Sequence, residues 1–318
     1  MNANVMTAFG GPEVLEYQTW PTPEPGPGQV LIKIHACSVN PVDWRIRKGE
    51  LKMFVRERPP MLLGADISGE IAGLGAGATR FSVGDPVWVK LPGDVGGYAE
   101  YIALPEEIVS SRPKGLSAVE AAAVPAGATT ALQALRDIAQ LKSGQRVLIN
   151  GASGGVGLFA IQLASAFGAK VTAVCGAAGV ELVKRFGVDD VLDYKVTDFT
   201  KVGRKWDVIF DVSATRHFNT CQEALEDHGQ YVTTIGSMGD MVAPVMNPLR
   251  SKKGHYIVVK SSAADLDLVR ALFDGGRLRV VVDRVFPLAR AGEAQAYIES
   301  GQQKGKVVLD CTASASPK

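Results

Sequence analysis

Short runs of apolar residues recur through the first 120 residues of the chain: "QVLIKIHACSV" (29–39), "ISGEIAGLG" (67–75), "PVWVKL" (86–91) and "YAEYIAL" (98–104). They are rich in β-branched and aromatic side chains and are separated by turn formers such as "PTPEPGPG" (21–28) and "SVGDP" (82–86), which predicts a small all-β unit. The pattern then changes. An alanine-rich helical stretch, "SAVEAAAVPAGATTALQALRD", leads through "LKSGQ" into "VLINGASGGVGLFAIQLA" (147–164). From there strands and helices alternate: strand 146–150, helix about 155–167, strand 170–175, helix about 179–186 and strand 190–194. Strand 207–212, helix about 216–226, strand 230–235 and a last strand 256–260 follow. Such alternation predicts βαβ units and a doubly wound parallel sheet, hence an α/β protein. The end of the chain, "VVVDRVFPLARAGEAQAYIESGQQKGKVVLD", offers two strand runs around a short helix and is expected to return to the β unit, because six strands already complete the doubly wound layout.

A chain of 318 residues is long for one core, and two domains are expected: 1–121 with 263–318, and 122–262. A net charge of +1 gives no reason to propose nucleic acid or a membrane surface as partner. With no long apolar run and no basic, apolar start, a cytoplasmic location is expected. Cys37, Cys175, Cys221 and Cys311 are widely scattered without a CxxC pair, and are read as interior free thiols rather than a zinc site or a disulfide framework. His35, His217, His228 and His255 lack a metal-binding spacing and are read as surface or structural residues.

The glycine turn carries the candidate chemistry. Ala152, Gly154 and Gly157 occupy the positions of the G-x-G-x-x-G/A fingerprint, directly after a strand and at the start of a helix. Small residues let the backbone of Ala152, Ser153, Gly154, Gly155, Val156 and Gly157 approach a pyrophosphate, and the positive end of the helix favours its charge. NAD-selective sites place a carboxylate about 20 positions further on, at the end of the second strand. Gly176 and Ala177 stand there instead, so NADP(H) is the expected cofactor. The nearest cations in sequence, Lys184 and Arg185, lie on the following helix.

The order of motifs resembles the zinc-independent quinone oxidoreductases of the medium-chain dehydrogenase/reductase superfamily. The matching pieces include "HACSVNPVDWRIRKG" (35–49), "LLGADISGEIAGLGAG" (62–77), "FSVGDPVW" (81–88), "GGYAEY" (96–101) and "AAAVPAGATTALQAL" (121–135). They continue through the glycine turn, "FGVDDVLDY" (186–194), "WDVIFD" (206–211) and "ESGQQKGKVVL" (299–309). The resemblance implies a GroES-like β domain and a Rossmann domain with the active site in the cleft between them. It also implies that the zinc-ligand positions of related alcohol dehydrogenases fall at Asn40, Ala65 and Pro125, and the relay hydroxyl at Val42. None of these offers the thiolate or imidazole of a catalytic zinc site.

Without a Lewis acid, an acceptor that carries its own electron sink, a quinone or an α,β-unsaturated carbonyl, is the expected substrate of hydride from NADPH. The resemblance puts Asn40 beside the nicotinamide, orienting the ring or donating to the substrate oxygen; the alternative is that it only ties down the turn before Pro41. Arg45 matches a basic cofactor-contacting position, or is a surface cation, while Asp43 is expected to brace the loop. Thr130 is placed near the nicotinamide and Tyr194 near the adenosine phosphate, unless Tyr194 closes its strand as a core residue. Ile235, Gly236 and Ser237, with Val259, Lys260, Gly305 and Lys306, are expected to border the cofactor, Lys260 and Lys306 as its cations. Ala178 and Gly179 stand where the family has Lys or Arg and Asn.

The loop 239–256, with Met241 and Met246, is expected either over the substrate cleft or in a dimer contact. A homodimer is expected through the edge of "HYIVVK" (255–260). Two other functions remain open: a dinucleotide-binding regulatory or structural protein with little turnover, and an enoyl-thioester reductase, for which "RSKK" (250–253) is the basic candidate.

Overall fold

The computed structural model describes residues 1–53, 55–234 and 244–313. The chain forms two units, Met1–Ala126 with Lys260–Lys318, and Gly127–Val259.

The first unit is built on strands β1 (Asn2–Met6), β2 (Leu15–Thr19), β3 (Gln29–Val39), β4 (Met61–Leu62), β5 (Asp66–Leu74), β6 (Pro86–Lys90), β7 (Tyr101–Pro105) and β8 (Ser110–Ser111). A three-stranded sheet has the order β2-β1-β4. The larger, seven-stranded sheet recruits β15 (Val282–Pro287) and β16 (Lys306–Asp310) in the order β15-β16-β3-β5-β6-β8, with β7 paired to β3. The C-terminal segment therefore returns to the β unit. Antiparallel registers set Ser38 opposite Asp66 and Val39 opposite Val307, which fixes what lies together at that end of the sheet. The inward positions of these strands, among them Ile32, Ile34, Ile67, Val87, Val89 and Leu309, form one buried cluster.

Helix α1 (Pro41–Arg47) begins directly after β3, with Asn40 as its N-cap and Pro41 at N1, where a missing N–H costs nothing. Arg47 at its far end is fully buried and ties α1 to the turn at Gly10 and to the helix that carries Gln295 and Glu299. Its Nε donates to Gln295 Oε1 (2.7 Å), one terminal nitrogen to the Gly10 carbonyl (2.9 Å) and the other to Glu299 Oε2 (2.8 Å). Helix α2 (Ala118–Ala122) starts on a capping box formed by Ser117 and Glu120.

The second unit holds a six-stranded sheet: β9 (Arg146–Asn150), β10 (Lys170–Cys175), β11 (Asp190–Asp193), β12 (Trp206–Asp211), β13 (Leu225–Thr233) and β14 (Lys253–Tyr256). All its pairings are parallel, in the order β11-β10-β9-β12-β13-β14. Numbered within the unit this is 3-2-1-4-5-6, the doubly wound dinucleotide order, whose switch point lies between its first and fourth strands. Helix α3 (Pro125–Leu132) continues into a π-helical stretch, Gln133–Ile138, α4 spans Gly155–Ala166, and α5 spans Val180–Lys184. Leu148, Val174, Ile209, Tyr231, Trp206 and Phe218 pack one face of the sheet. Trp206 remains satisfied there because its Nε1 donates to Thr172 Oγ1 (3.1 Å).

Three segments differ from the sequence reading. The helix expected at 216–226 is a single turn, α6 (Phe218–Cys221), followed by a 3-10 turn, because β13 already begins at Leu225 to pair with Trp206. The last parallel strand is Lys253–Tyr256 rather than 256–260: Thr233, the last residue of β13, pairs with Tyr256, and Val258 beyond it is exposed. "AADLDLVRALFD" forms helix α7 (Ala263–Asp274), which strand patterning did not reveal; Ser262 caps it by accepting from Asp265 N–H (3.1 Å). Helix α8 (Ala291–Glu299) is the short helix expected between the final strands.

Candidate active site

The nucleotide-binding candidate of the second unit is the turn between β9 and α4. Gly151 adopts a left-handed φ of +85°, and Gly154 N–H closes the turn on the Gly151 carbonyl (3.2 Å). Gly154 is the N-cap, so the helix starts with Gly155, Val156 and Gly157, whose amides precede the first intrahelical acceptor. Gly157 has a strict reason to be glycine. A Cβ there would stand 2.2 Å from the Gly151 carbonyl oxygen and 2.7 Å from Ala152 Cα, so any side chain would push the helix off the strand. Ala152 is buried beneath the turn, while Ser153 is half-buried at its rim.

At the end of β10, Gly176 caps the 3-10 turn Ala177–Gly179 and lies beside Tyr194; a Cβ on Gly176 would meet the Tyr194 ring at 3.2 Å. Tyr194 is 57% exposed, which overturns the alternative that it closes its strand as a core residue. A glycine here leaves the phenol free to lie across the strand end, as a flat surface for an aromatic ligand. Gly179 is buried against Ser153, and a Cβ would stand 2.7 Å from that of Ser153, so the asparagine of the resemblance has no room at this position. No carboxylate occupies the end of β10. Thr130 is buried on α3, Val259 is half-buried and Lys260 exposed. Ile235, Gly236, Ser237 and Met241 lie outside the described residues.

The loop that follows is tied at its base: Asn247 Nδ2 donates to the Gly254 carbonyl (2.9 Å) and Gly254 N–H to Asn247 Oδ1 (3.0 Å). Met246 is exposed. Part of the basic run is already engaged, Lys252 Nζ with the Gln222 carbonyl (2.7 Å) and Arg250 over the Phe218 ring.

The first unit brings a different constellation together. Three adjacent strands, β16, β3 and β5, carry Lys306, Ser38 and Asp66 to one sheet end, where Asn40 begins α1. Asn40 Nδ2 donates to Ser38 Oγ (2.9 Å) and Asp66 Oδ2 (3.1 Å), and Asn40 Oδ1 accepts from Lys306 Nζ (2.5 Å). Ser38 Oγ also donates to Asp66 Oδ2, and Asp66 Oδ1 accepts the Ala126 N–H in the first turn of α3 (2.5 Å). All four side chains are buried. Asn40 Nδ2 thus faces Ser38 and Asp66 inside the cluster, and its Oδ1 faces Lys306. Lys306 is buried, and its charge is answered by Asp66, 3.6 Å away. Gly305 makes the turn into β16 with a φ of +106°, where a Cβ would stand 2.5 Å from the Val281 carbonyl oxygen.

Asp43 braces the loop, as expected. Its Oδ2 accepts from Asn40 N–H (2.7 Å) and Tyr98 Oη (2.9 Å), its Oδ1 has no partner, and burial pushes the carboxyl up to about 8 despite those two bonds. Arg45 lies half-buried with its guanidinium over Trp44 and a buried Nε without a partner. All four cysteines are free and buried, and burial raises the Cys221 thiol to about 12, which makes them inert core groups. Asp66 and Ser38 escaped the sequence reading. The available signal was a carboxylate in an otherwise apolar run, "MLLGADISG".

Residues 26–114 match the "Alcohol dehydrogenase GroES-like domain" and residues 186–309 the "Zinc-binding dehydrogenase" family. The chain is 33% identical over 313 residues to a chloroplast envelope quinone oxidoreductase homolog of Arabidopsis thaliana, covering 95% of each chain. The chain belongs to the quinone oxidoreductase family. A human mitochondrial NAD(P)H oxidoreductase is 33% identical, with 89% of this chain and 82% of the relative covered. Among solved structures, the quinone oxidoreductase of Coxiella burnetii superposes with a TM-score of 0.87 at 30% identity, over 98% of this chain and 99% of that one. Asn40, Ala65 and Pro125 supply neither thiolate nor imidazole, and among the described residues no three His, Cys, Asp or Glu side chains gather as a metal site requires.

Proposed function

We propose that this protein is an NADPH-dependent reductase of quinones that also accepts the activated double bond of α,β-unsaturated carbonyls. The observation that carries the reading is the join of a dinucleotide turn, with no carboxylate at the end of β10, to a β unit whose zinc-ligand positions hold Asn40, Ala65 and Pro125. Relatives named as quinone and NAD(P)H oxidoreductases across nearly the whole chain support it.

The glycine turn suits a pyrophosphate because its backbone approaches closely and the helix amides face the charge. The exposed Tyr194 offers its ring to the adenosine end, and Gly176 puts no carboxylate of its own at a ribose phosphate. Bound NADPH supplies hydride to the electron-poor centre of the acceptor. The protein has then to hold the acceptor, exclude water and neutralise the oxyanion that forms, a task for fixed hydrogen-bond donors. In the Asn40–Asp66–Lys306 cluster, Lys306 is such a donor, held by the Asn40 amide oxygen.

We further propose a cytosolic location, which four buried free thiols suit, and a homodimer. The dimer would use the outer edge of β14 rather than residues 257–260, which lie beyond the strand. The test of function is NADPH consumption with a panel of simple quinones and enones, with NADH in parallel. Turnover faster with NADPH on at least one acceptor is expected. Micromolar NADPH binding without turnover on any acceptor sinks the reading.

A further inference from the structure

We propose that Lys306 is the acid of this reaction: its ammonium binds the oxygen of the reduced acceptor and delivers the proton to it. The assignment rests on the function proposed above. Lys306 is 5% exposed, and its Nζ makes one hydrogen bond, to Asn40 Oδ1 (2.5 Å). Asp66 Oδ2, at 3.6 Å, answers the charge but stands too far for a second one. An ammonium has three N–H groups. Two of them have no hydrogen-bond acceptor among the described residues.

Taking an ammonium out of water and leaving most of its hydrogen-bonding capacity unused costs several kcal/mol. A lysine whose only task was to neutralise Asp66 would sit within hydrogen-bond distance of it. Asp66 is instead filled by Ser38 Oγ, Asn40 Nδ2 and the Ala126 N–H. With these bonds it anchors the Asn40 amide with Oδ1 turned to Lys306. The cluster therefore fixes the ammonium and leaves its remaining hydrogens for an acceptor that the protein itself does not provide. An oxyanion formed by hydride addition is such an acceptor.

The step balances. The acceptor gains two electrons as hydride from NADPH and becomes a quinol monoanion or an enolate. One N–H bond of Lys306 breaks as an O–H bond forms on that oxygen; an enol so produced then isomerises to the ketone in water. The neutral amine takes a proton from solvent, and Asp66 again faces an ammonium. Asn40 and Asp66 act here as positioning residues, through Lys306.

Two variants test this. Lys306→Met keeps the buried stem and removes the charge, and Lys306→Ala opens space for a small amine. For each, three quantities are measured: kcat at saturating NADPH and acceptor, the NADPH dissociation constant from nucleotide fluorescence, and binding of para-nitrophenolate, a stable oxyanion, to the NADP+ complex. We expect kcat to fall about 100-fold in both variants, a loss typical of a positioned acid. NADPH affinity stays within about 2-fold, and para-nitrophenolate binding weakens about 10-fold, near 1.4 kcal/mol. Added ethylammonium restores at least part of kcat to Lys306→Ala and none to Lys306→Met. Unchanged kcat and phenolate binding overturn the assignment. A large loss of NADPH affinity with kcat preserved also overturns it and makes Lys306 a cation of the cofactor site. A lowered melting temperature with no amine rescue reduces it to a counter-ion of Asp66. A wild-type protein inert on every quinone and enone defeats the proposed function instead, and phenolate binding then still reports on Lys306 by itself.

Discussion

Burial favours the protonated form of Asp43, and replacing it with asparagine exposes what that costs. Burial lifts its carboxyl from 3.8 to about 8, against the pull of the Asn40 N–H and the Tyr98 hydroxyl, with Asp94 and Asp66 adding repulsion. A carboxyl raised in the folded state holds its proton there while the unfolded chain has lost it. Its contribution to stability is therefore complete below about pH 4 and is lost progressively as pH rises to about 8. At 1.36 kcal/mol per unit, a displacement of about 4 units amounts to about 6 kcal/mol over that window. Asp43→Asn removes the titration and keeps the geometry. The amide oxygen accepts from Asn40 N–H and Tyr98 Oη, and the amide nitrogen takes the place of Oδ1, which has no partner in the wild type either. Urea unfolding of both proteins, followed by tryptophan fluorescence between about pH 4 and pH 9, reads the difference. The variant should gain several kcal/mol on the wild type as pH rises, with the steepest change between about pH 5 and pH 8. Stability curves that stay parallel, within about 1 kcal/mol, would mean that Asp43 is ionised in the native protein, and the reasoning fails.

Three further outcomes follow from geometry. Gly157→Ala, which stabilises an ordinary helix by about 1 kcal/mol, should cost about 1–3 kcal/mol here because of the 2.2 Å approach to the Gly151 oxygen; thermal melting measures it, and NADPH affinity should fall with it. Tyr194→Ala should leave the melting temperature unchanged, the ring being 57% exposed, and weaken NADPH binding about 3- to 10-fold, as nucleotide fluorescence would show. Arg47→Met leaves Gln295 Oε1 and the Gly10 carbonyl without their donor, while Glu299 keeps Lys48, and should destabilise by about 1–3 kcal/mol in urea unfolding.

Much of this architecture is legible in the sequence because it is local. The glycine turn, its strand and its helix occupy about twenty consecutive residues, and alternation of strands with helices leaves few parallel layouts. Where local patterns compete, reading fails. "HYIVVK" has stronger strand character than "KGHY", yet the parallel register with β13 ends at Tyr256. The acid cluster is hidden for the opposite reason: Asn40 and Lys306 are 266 residues apart, and nothing local marks them as neighbours. Their meeting depends on β16 pairing with β3, which is a property of the finished sheet. Tyr194 shows a third case, since an aromatic at a strand end reads equally as core or as ligand surface until its exposure is known.

The proposed reaction is hydride transfer from NADPH to a quinone without a metal. Its most direct measurement is the anaerobic stoichiometry of NADPH oxidised to quinol formed, in protein treated with a chelator and checked for bound metal. One quinol for each NADPH is expected, undiminished by chelation and faster than with NADH. NADPH that binds but is not oxidised, or turnover that disappears with the metal and returns with added zinc, would contradict it.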